Sequence, residues 1–292
     1  MKDNNVSIVS IGILAALSLI WGGSFFFIKK SLLAFDSSQV AALRMGITML
    51  CFIPVGYTHL KKIKSKKVYF HIFLMAMFGN AIPSFLFPIA QTQIDSSLAG
   101  ILNASTPIFV LIVGFLVFKV ETPRHKILGV LVGLIGALLL ILYGQDHKTG
   151  TNNWYGLYAL LATFCYGMSA NIIKEYLQNI SPLTSTTIAF MLIGPISWAY
   201  IFSTDFLTIM NTHPQAMTSL GSVSFLAIFG TGIASLIYVR LIQITDAVFS
   251  SLVSYIIPIV ALTFGAIDGE IITLWHALGI ILIFFGVHLA RK

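Results

Sequence analysis

The sequence predicts an all-α integral membrane protein: ten transmembrane helices in two inverted five-helix repeats, with both termini inside. Three observations predict it. Hydrophobic residues make up 57% of the chain and charged ones only 9%, where soluble domains carry about 25% charged residues. Apolar runs of roughly 17–23 residues, enough to cross about 30 Å of hydrocarbon, follow one another from end to end. The second half also repeats the first. Residues 95–107 align with 246–258 at an offset of 151, placing Asp95 on Asp246 and Pro107 on Pro258. The same offset carries Phe78 and Gly79 onto Phe229 and Gly230, and Ser84 onto Ser235.

The ten spans are 6–28, 39–57, 68–89, 98–118, 127–143, 154–173, 183–202, 223–239, 247–267 and 271–289. The first is longer than the apolar core of a signal peptide. It is followed by Lys29 and Lys30 rather than a cleavage site, so it reads as a retained helix. The eighth is short and is expected to begin before Val223. Near the start of each half, Trp21-Gly22-Gly23-Ser24 matches Tyr166-Gly167-Met168-Ser169, and Lys29 matches Lys174.

Orientation follows from the basic residues. With the N-terminus inside, the inner segments hold Lys2, the cluster Lys61, Lys62, Lys64, Lys66 and Lys67, and then Lys119, Arg124 and Lys126. They also hold Lys174, Arg240, Arg291 and Lys292, while the outer segments hold Lys29, Lys30 and Lys148. That bias selects N-in, C-in. Five spans per half make the second repeat enter from the opposite side, so the repeats are inverted. The halves are residues 1–145 and 146–292, joined by the polar stretch 145–153.

The net charge of +7 lies between apolar spans. It reads as topology signal and contact with anionic headgroups, not as a nucleic-acid surface. Cys51 and Cys165 fall inside apolar runs, and there is no CxxC or His/Cys cluster. Neither a disulfide framework nor a metal site is expected. No HExxH, Walker A or dinucleotide fingerprint appears, so no cofactor is expected and a self-contained ATP-driven pump is disfavoured.

These features together resemble the drug/metabolite transporter superfamily, specifically its EamA-type ten-helix transporters. The resemblance rests on Trp21-Gly22-Gly23-Ser24-Phe25 in the first span, Arg44 in the second, Pro107 in the fourth with Glu121 at its exit, and Gly129 and Gly136 in the fifth. Pro258, Glu270, Gly279 and Gly286 repeat the last group. It implies a two-repeat bundle around a central cavity that moves small organic solutes by alternating access. Amino acids, related metabolites and drugs are the usual cargo, often exported across the cytoplasmic or inner membrane. One departure is Asn171, which stands where the first span has Phe26.

Polar groups in hydrocarbon are costly unless they face protein or water, so mid-span polar residues are the candidate substrate contacts. Asn103 precedes Pro107 by four residues. A proline there removes a backbone hydrogen bond and loosens the carbonyl near residue 103. Ser254 and Tyr255 before Pro258 are the repeat counterpart. Asn80 stands before Pro83 and Pro88, with Thr231 as its match in the eighth span. Pro83, Pro88, Pro107 and Pro258 are candidate hinges, with tolerated kinks as the alternative. Trp21, Tyr166, Tyr238 and Tyr255 are candidates to stack on substrate. Ser24 and Asn171 complete the set. Arg44, the one arginine well inside a span, either snorkels, meets a carbonyl, or pairs with a substrate carboxylate.

No Asp or Glu lies near the middle of any span, which argues against a buried-acid proton relay. Asp95 and Asp246 read as helix caps. Gly129 and Gly133 form a GxxxG pair, read as close packing within the bundle ahead of a dimer face, so monomer and homodimer both stay open. Rival readings are uptake or exchange on the same fold, and, remotely, an intramembrane serine hydrolase using Ser169 and His288. The repeat of Gly-x-Ser in the first span without a matching base favours packing over catalysis.

Overall fold

The computed structural model describes residues 8–94, 96–142, 153–267 and 274–291. Asp95, Lys148, Glu270 and nearly all of the predicted linker 145–153 lie outside them, as does the His276 side chain. The described chain is helical, with no strand among the described residues. α1 (Ile8–Ser31) and α2 (Ser37–Leu60) are unbroken. The third predicted span is α3 (Lys66–Ala76), a π-helical turn at Met77–Ala81 and α4 (Ile82–Gln91). The fourth divides into α5 (Ser96–Asn103) and α6 (Thr106–Leu116). Next come α7 (Arg124–Leu142), α8 (Gly156–Tyr176) and α9 (Pro182–Ser203).

A short α10 (Phe206–Thr212), not expected from the sequence, leads into α11 (Ala216–Phe225). α11 runs through a π-helical stretch, Leu226–Ile233, into α12 (Ala234–Ile244). The eighth span therefore starts before Val223, as expected. The ninth divides into α13 (Ala247–Ser251) and α14 (Val253–Ile267), and α15 (Leu274–Arg291) closes the chain. Among the described residues, α1, α2, α3 with α4, α8, α9, and α11 with α12 make six helices long and apolar enough to cross a membrane. Shorter apolar helices cover Thr106–Leu116, Ala247–Val260 and Ala277–Ala290.

Local chemistry places the starts and breaks. Asp36 caps α2: its carboxylate accepts from Gln39 N at 2.7 Å, while Gln39 Oε1 accepts from Asp36 N at 3.1 Å, a capping box. Ser181 caps α9 by accepting from Thr184 N at 3.3 Å, with Pro182 next in the first turn. The two π turns coincide under the 151-residue offset. In the first, Pro83 lacks the N–H that an α-helix would direct one turn back. In the second, carbonyls loosened from the α ladder are met by side chains of other helices. Trp21 Nε1 donates to Gly230 O at 2.9 Å, and Thr48 Oγ1 to Ala227 O at 2.8 Å. Irregular backbone at membrane depth needs such partners.

Two helix pairs cross antiparallel. Along α2 and α9, Gln39 reaches Thr204 at one end, Trp198 Nε1 donates to Gly46 O mid-way, and His59 meets Thr184 at the other. Along α7 and α15, Gly129 faces Gly286 and Gly136 faces Gly279. A Cβ at Gly129 would lie 2.6 Å from Gly286 O, and one at Gly136 2.7 Å from Gly279 O. The small residues thus serve contact within the bundle. α1 packs on α11, α12 and α14, and α8 packs on α3, α4 and α6.

Polar contacts tie the two ends. At one, Lys126 Nζ pairs with Asp246 Oδ2 at 2.5 Å, Lys174 Nζ donates to Thr245 O at 2.6 Å, and Gln243 Nε2 donates to Leu177 O at 2.8 Å. Asp246 also caps α13, accepting from Phe249 N at 2.9 Å. At the other, Gln39 Nε2 donates to Asp205 Oδ1 at 2.9 Å, and Ser219 Oγ to Lys30 O at 2.9 Å.

Candidate functional site

A cavity lies where α1 to α6 and the first π turn meet α8, α9, the second π stretch, α12, α13 and α14. Eight sequence-predicted residues line it: Trp21, Ser24, Arg44, Asn80, Asn103, Tyr166, Tyr238 and Ser254. The π turns bring Asn80 and Gly230 to its wall, and the breaks after α5 and α13 bring Asn103, Thr106 and Ser254.

The motif serines have a packing role. Ser24 Oγ donates to Ile20 O, and a Cβ at Gly230 would lie 2.9 Å from Ser24 Oγ. Ser169 Oγ donates to Met75 O at 3.3 Å, and a Cβ at Gly79 would collide with Ser169 Oγ. Each serine therefore sits against the glycine of a π turn, twice over. Among the described residues Ser169 has no histidine partner and no histidine lines the cavity.

Most lining polar groups are already bonded within the protein. Ser235 Oγ donates to Asn80 Oδ1 at 2.8 Å, and Ser254 Oγ to Ser251 O at 2.8 Å. The carbonyl loosened ahead of Pro107 is that of Asn103, and Thr106 Oγ1 takes it at 2.7 Å. The Asn103 side-chain amide, in contrast, has no partner among the described residues and lines the cavity. Aromatic faces supply the remaining wall: Trp21 and Tyr238 meet edge-on with centroids 5.2 Å apart, and Phe87 stacks on Tyr166 at 6.0 Å.

Arg44 is 9% exposed and does not snorkel. Its Nε donates to Thr231 Oγ1 at 2.9 Å, and its terminal nitrogens have no partner among the described residues. The guanidinium stays charged, and no Asp or Glu among the described residues lines the cavity. Counted from the caps Asp36 and Ser181, the matching place on α9 is Ala189, which also lines the cavity. The charge is therefore on one side only. Like charges about 4 Å apart repel by about 4 kcal/mol at an effective dielectric of roughly 20. Cation–π attraction returns about 0.5–2 kcal/mol, so the aromatic wall does not offset Arg44 for a cationic guest.

The model of the EamA-like transporter family matches this chain twice, over residues 8–142 and 153–291. The chain belongs to the EamA-like transporter family. It is 25% identical over 282 residues to an uncharacterized transporter of Archaeoglobus fulgidus, covering 96% of this chain and 98% of the relative. It is 24% identical to the uncharacterized inner membrane transporter YedA of Escherichia coli K12, covering 92% and 87% of the two chains. A solved crystal structure superposes with TM-score 0.71 over 97% of this chain and 96% of the other, at 16% identity. That likeness speaks for the fold alone.

Within this EamA-like chain, two predicted contacts lie elsewhere. Asn171 is buried at the α6–α8 crossing. Its Nδ2 donates to Val110 O at 3.0 Å and Gly167 O at 2.9 Å, so its polarity joins helices. Phe26, its counterpart, is 58% exposed on the outer surface of the bundle. Tyr255 is fully buried. Its hydroxyl donates to Val130 O at 2.7 Å, and its ring fills the space beside Gly133. Pro83 begins α4, Pro107 begins α6, and Pro88 and Pro258 lie inside α4 and α14.

The sequence reading missed several lining residues: Phe25, Phe87, Phe190, Ser84 and Thr186. For Thr186 a signal was present, since 184–187 is a run of four hydroxyl residues inside an otherwise apolar span. Its Oγ1 is buried with no hydrogen-bond partner among the described residues. The phenylalanines carry no such signal, because nothing in their spacing separates a cavity wall from a lipid-facing surface.

Proposed function

We propose that this EamA-like protein is an alternating-access exporter of small organic solutes, built as ten spans in two inverted repeats, residues 1–145 and 146–292. Amino acids, related metabolites or drugs are its cargo. The antiparallel crossings of α2 with α9 and α7 with α15 support inversion, because each pairs an element with its repeat counterpart. So does the exchange of neighbours: α1 packs on α11, α12 and α14 as α8 packs on α3, α4 and α6. Placement in the cytoplasmic or inner membrane, N-in and C-in, rests on the lysine and arginine bias and on the name of the YedA relative.

The observation that carries the reading is the cavity between the halves, with the Asn103 amide and the terminal nitrogens of Arg44 facing it without a partner among the described residues. Buried polar groups are normally satisfied; here an arriving solute supplies the partner. Lys126 and Asp246 join the halves at one end, and release of that pair is the gating step in this scheme. Pro83, Pro88, Pro107 and Pro258 are the hinges.

The test is metabolite profiling of medium and cytosol from cells expressing the intact chain or Asn103→Ala at matched membrane levels. Export predicts a solute that builds up outside only with the intact chain. A solute enriched inside instead replaces export by uptake. Equal profiles for the two chains remove Asn103 from the site.

A further inference from the structure

Resting on the transporter reading, we infer that the cavity selects solutes bearing a single carboxylate on an apolar or aromatic body, and that Arg44 is the residue that binds the carboxylate. The guanidinium is nine-tenths buried and lines the cavity. Its Nε is held by Thr231, which fixes the plane and leaves both terminal nitrogens for a guest. A planar fork of that kind matches a carboxylate with two parallel hydrogen bonds. Among the described residues no acidic side chain lines the cavity to neutralise it, and the equivalent place on α9 is Ala189. One fixed positive charge therefore calls for one negative charge on the guest, and a dianion would leave a charge unbalanced. Trp21, Tyr238, Tyr166 and Phe87 give the apolar body its surface. The Asn103 amide is free to take a further polar group, such as the ammonium of an amino acid at Oδ1.

The test uses the full chain in lipid nanodiscs with three matched probes: 3-phenylpropionate, L-phenylalanine and 2-phenylethylamine. Binding is read from tryptophan fluorescence and the shift of the unfolding midpoint. The expected result is that both carboxylates bind at least about tenfold more tightly than the amine, as a charge-assisted pair implies. Arg44→Gln should abolish that ranking, and Arg44→Lys should keep the ranking with weaker binding. Should Arg44→Gln not fold, Arg44→Lys decides the matter. An amine that binds as tightly as the carboxylates overturns the assignment. So does a ranking unchanged in Arg44→Gln, carboxylate binding undiminished in Arg44→Lys, or no carboxylate binding up to the solubility limit. Counterflow in liposomes reads the transport proposal separately. Arg44-dependent carboxylate binding without counterflow would sink transport and keep the assignment. Amine counterflow insensitive to Arg44 would do the reverse.

Discussion

Arg44 on α2 and Ala189 on α9 stand at corresponding places, eight residues past their helix caps, and both line the cavity. The two halves share a backbone plan, yet at this pair they differ by a full charge. Thr231 is the repeat counterpart of Asn80, and it holds Arg44 while Asn80 receives Ser235. A doubled family pattern thus coexists with a one-sided electrostatic field.

The Thr231 contact is open to direct test. Thr231→Val leaves Arg44 Nε buried without an acceptor and should destabilise by about 1–3 kcal/mol. Thr231→Ser keeps the bond and should unfold close to the parent chain. Comparing thermal midpoints in one detergent checks this, and equal midpoints for Val and Ser would refute the anchoring role.

The α7–α15 crossing depends on missing side chains. Gly286→Leu places a Cβ about where Gly129 O and Gly133 N lie, each 2.6 Å away. Backbone on the other side cannot rotate aside, so overpacking should destabilise by about 1–3 kcal/mol or more. Gly12→Ala, with nothing within 4 Å of its added Cβ, should be neutral or stabilise by roughly 0.5–1 kcal/mol. Thermal unfolding of the pair measures the contrast.

Tyr255 is a structural residue by its contacts, so stability and transport should separate. Tyr255→Phe removes the hydroxyl bond to Val130 O and leaves that carbonyl short of a partner, at a cost of about 0.5–1.5 kcal/mol. Transport per folded molecule should be unchanged. A transport loss without a stability loss would return Tyr255 to the site.

Asp246 has two jobs that substitutions can divide. Asp246→Asn keeps the cap on α13 and removes the ion pair with Lys126, a partly exposed contact worth about 0–1 kcal/mol. Asp246→Ala loses the cap as well, for about 0.5–2 kcal/mol more. If the pair is part of a gate, Asp246→Asn should also raise labelling of Ser251→Cys by a membrane-impermeant thiol reagent. Unchanged labelling would confine the pair to stability.

Length and polarity made the helices legible. Asp246 marked a helix start, and the 151-residue repeat picked out equivalent positions before any contact was known. The breaks within the fourth and ninth spans were less legible. Pro107 opens α6, but the ninth span breaks at Leu252, six residues before Pro258. A proline signals a lost hydrogen bond; where the helix yields depends on which neighbours accept the freed groups.

By itself the sequence determined the membrane class, the helical content, the doubled plan and most of the polar residues that face the cavity. Hydrophobic length, caps and charge bias are local properties, and they act before helices meet. Only the tertiary structure decided which polar groups are left over. Asn171 and Tyr255 read as site residues until Val110, Gly167 and Val130 offered them carbonyls. Asn103 and the terminal nitrogens of Arg44 met no such partner among the described residues. Whether a buried polar group joins two helices or awaits a solute depends on what lies across from it, and that is set by packing.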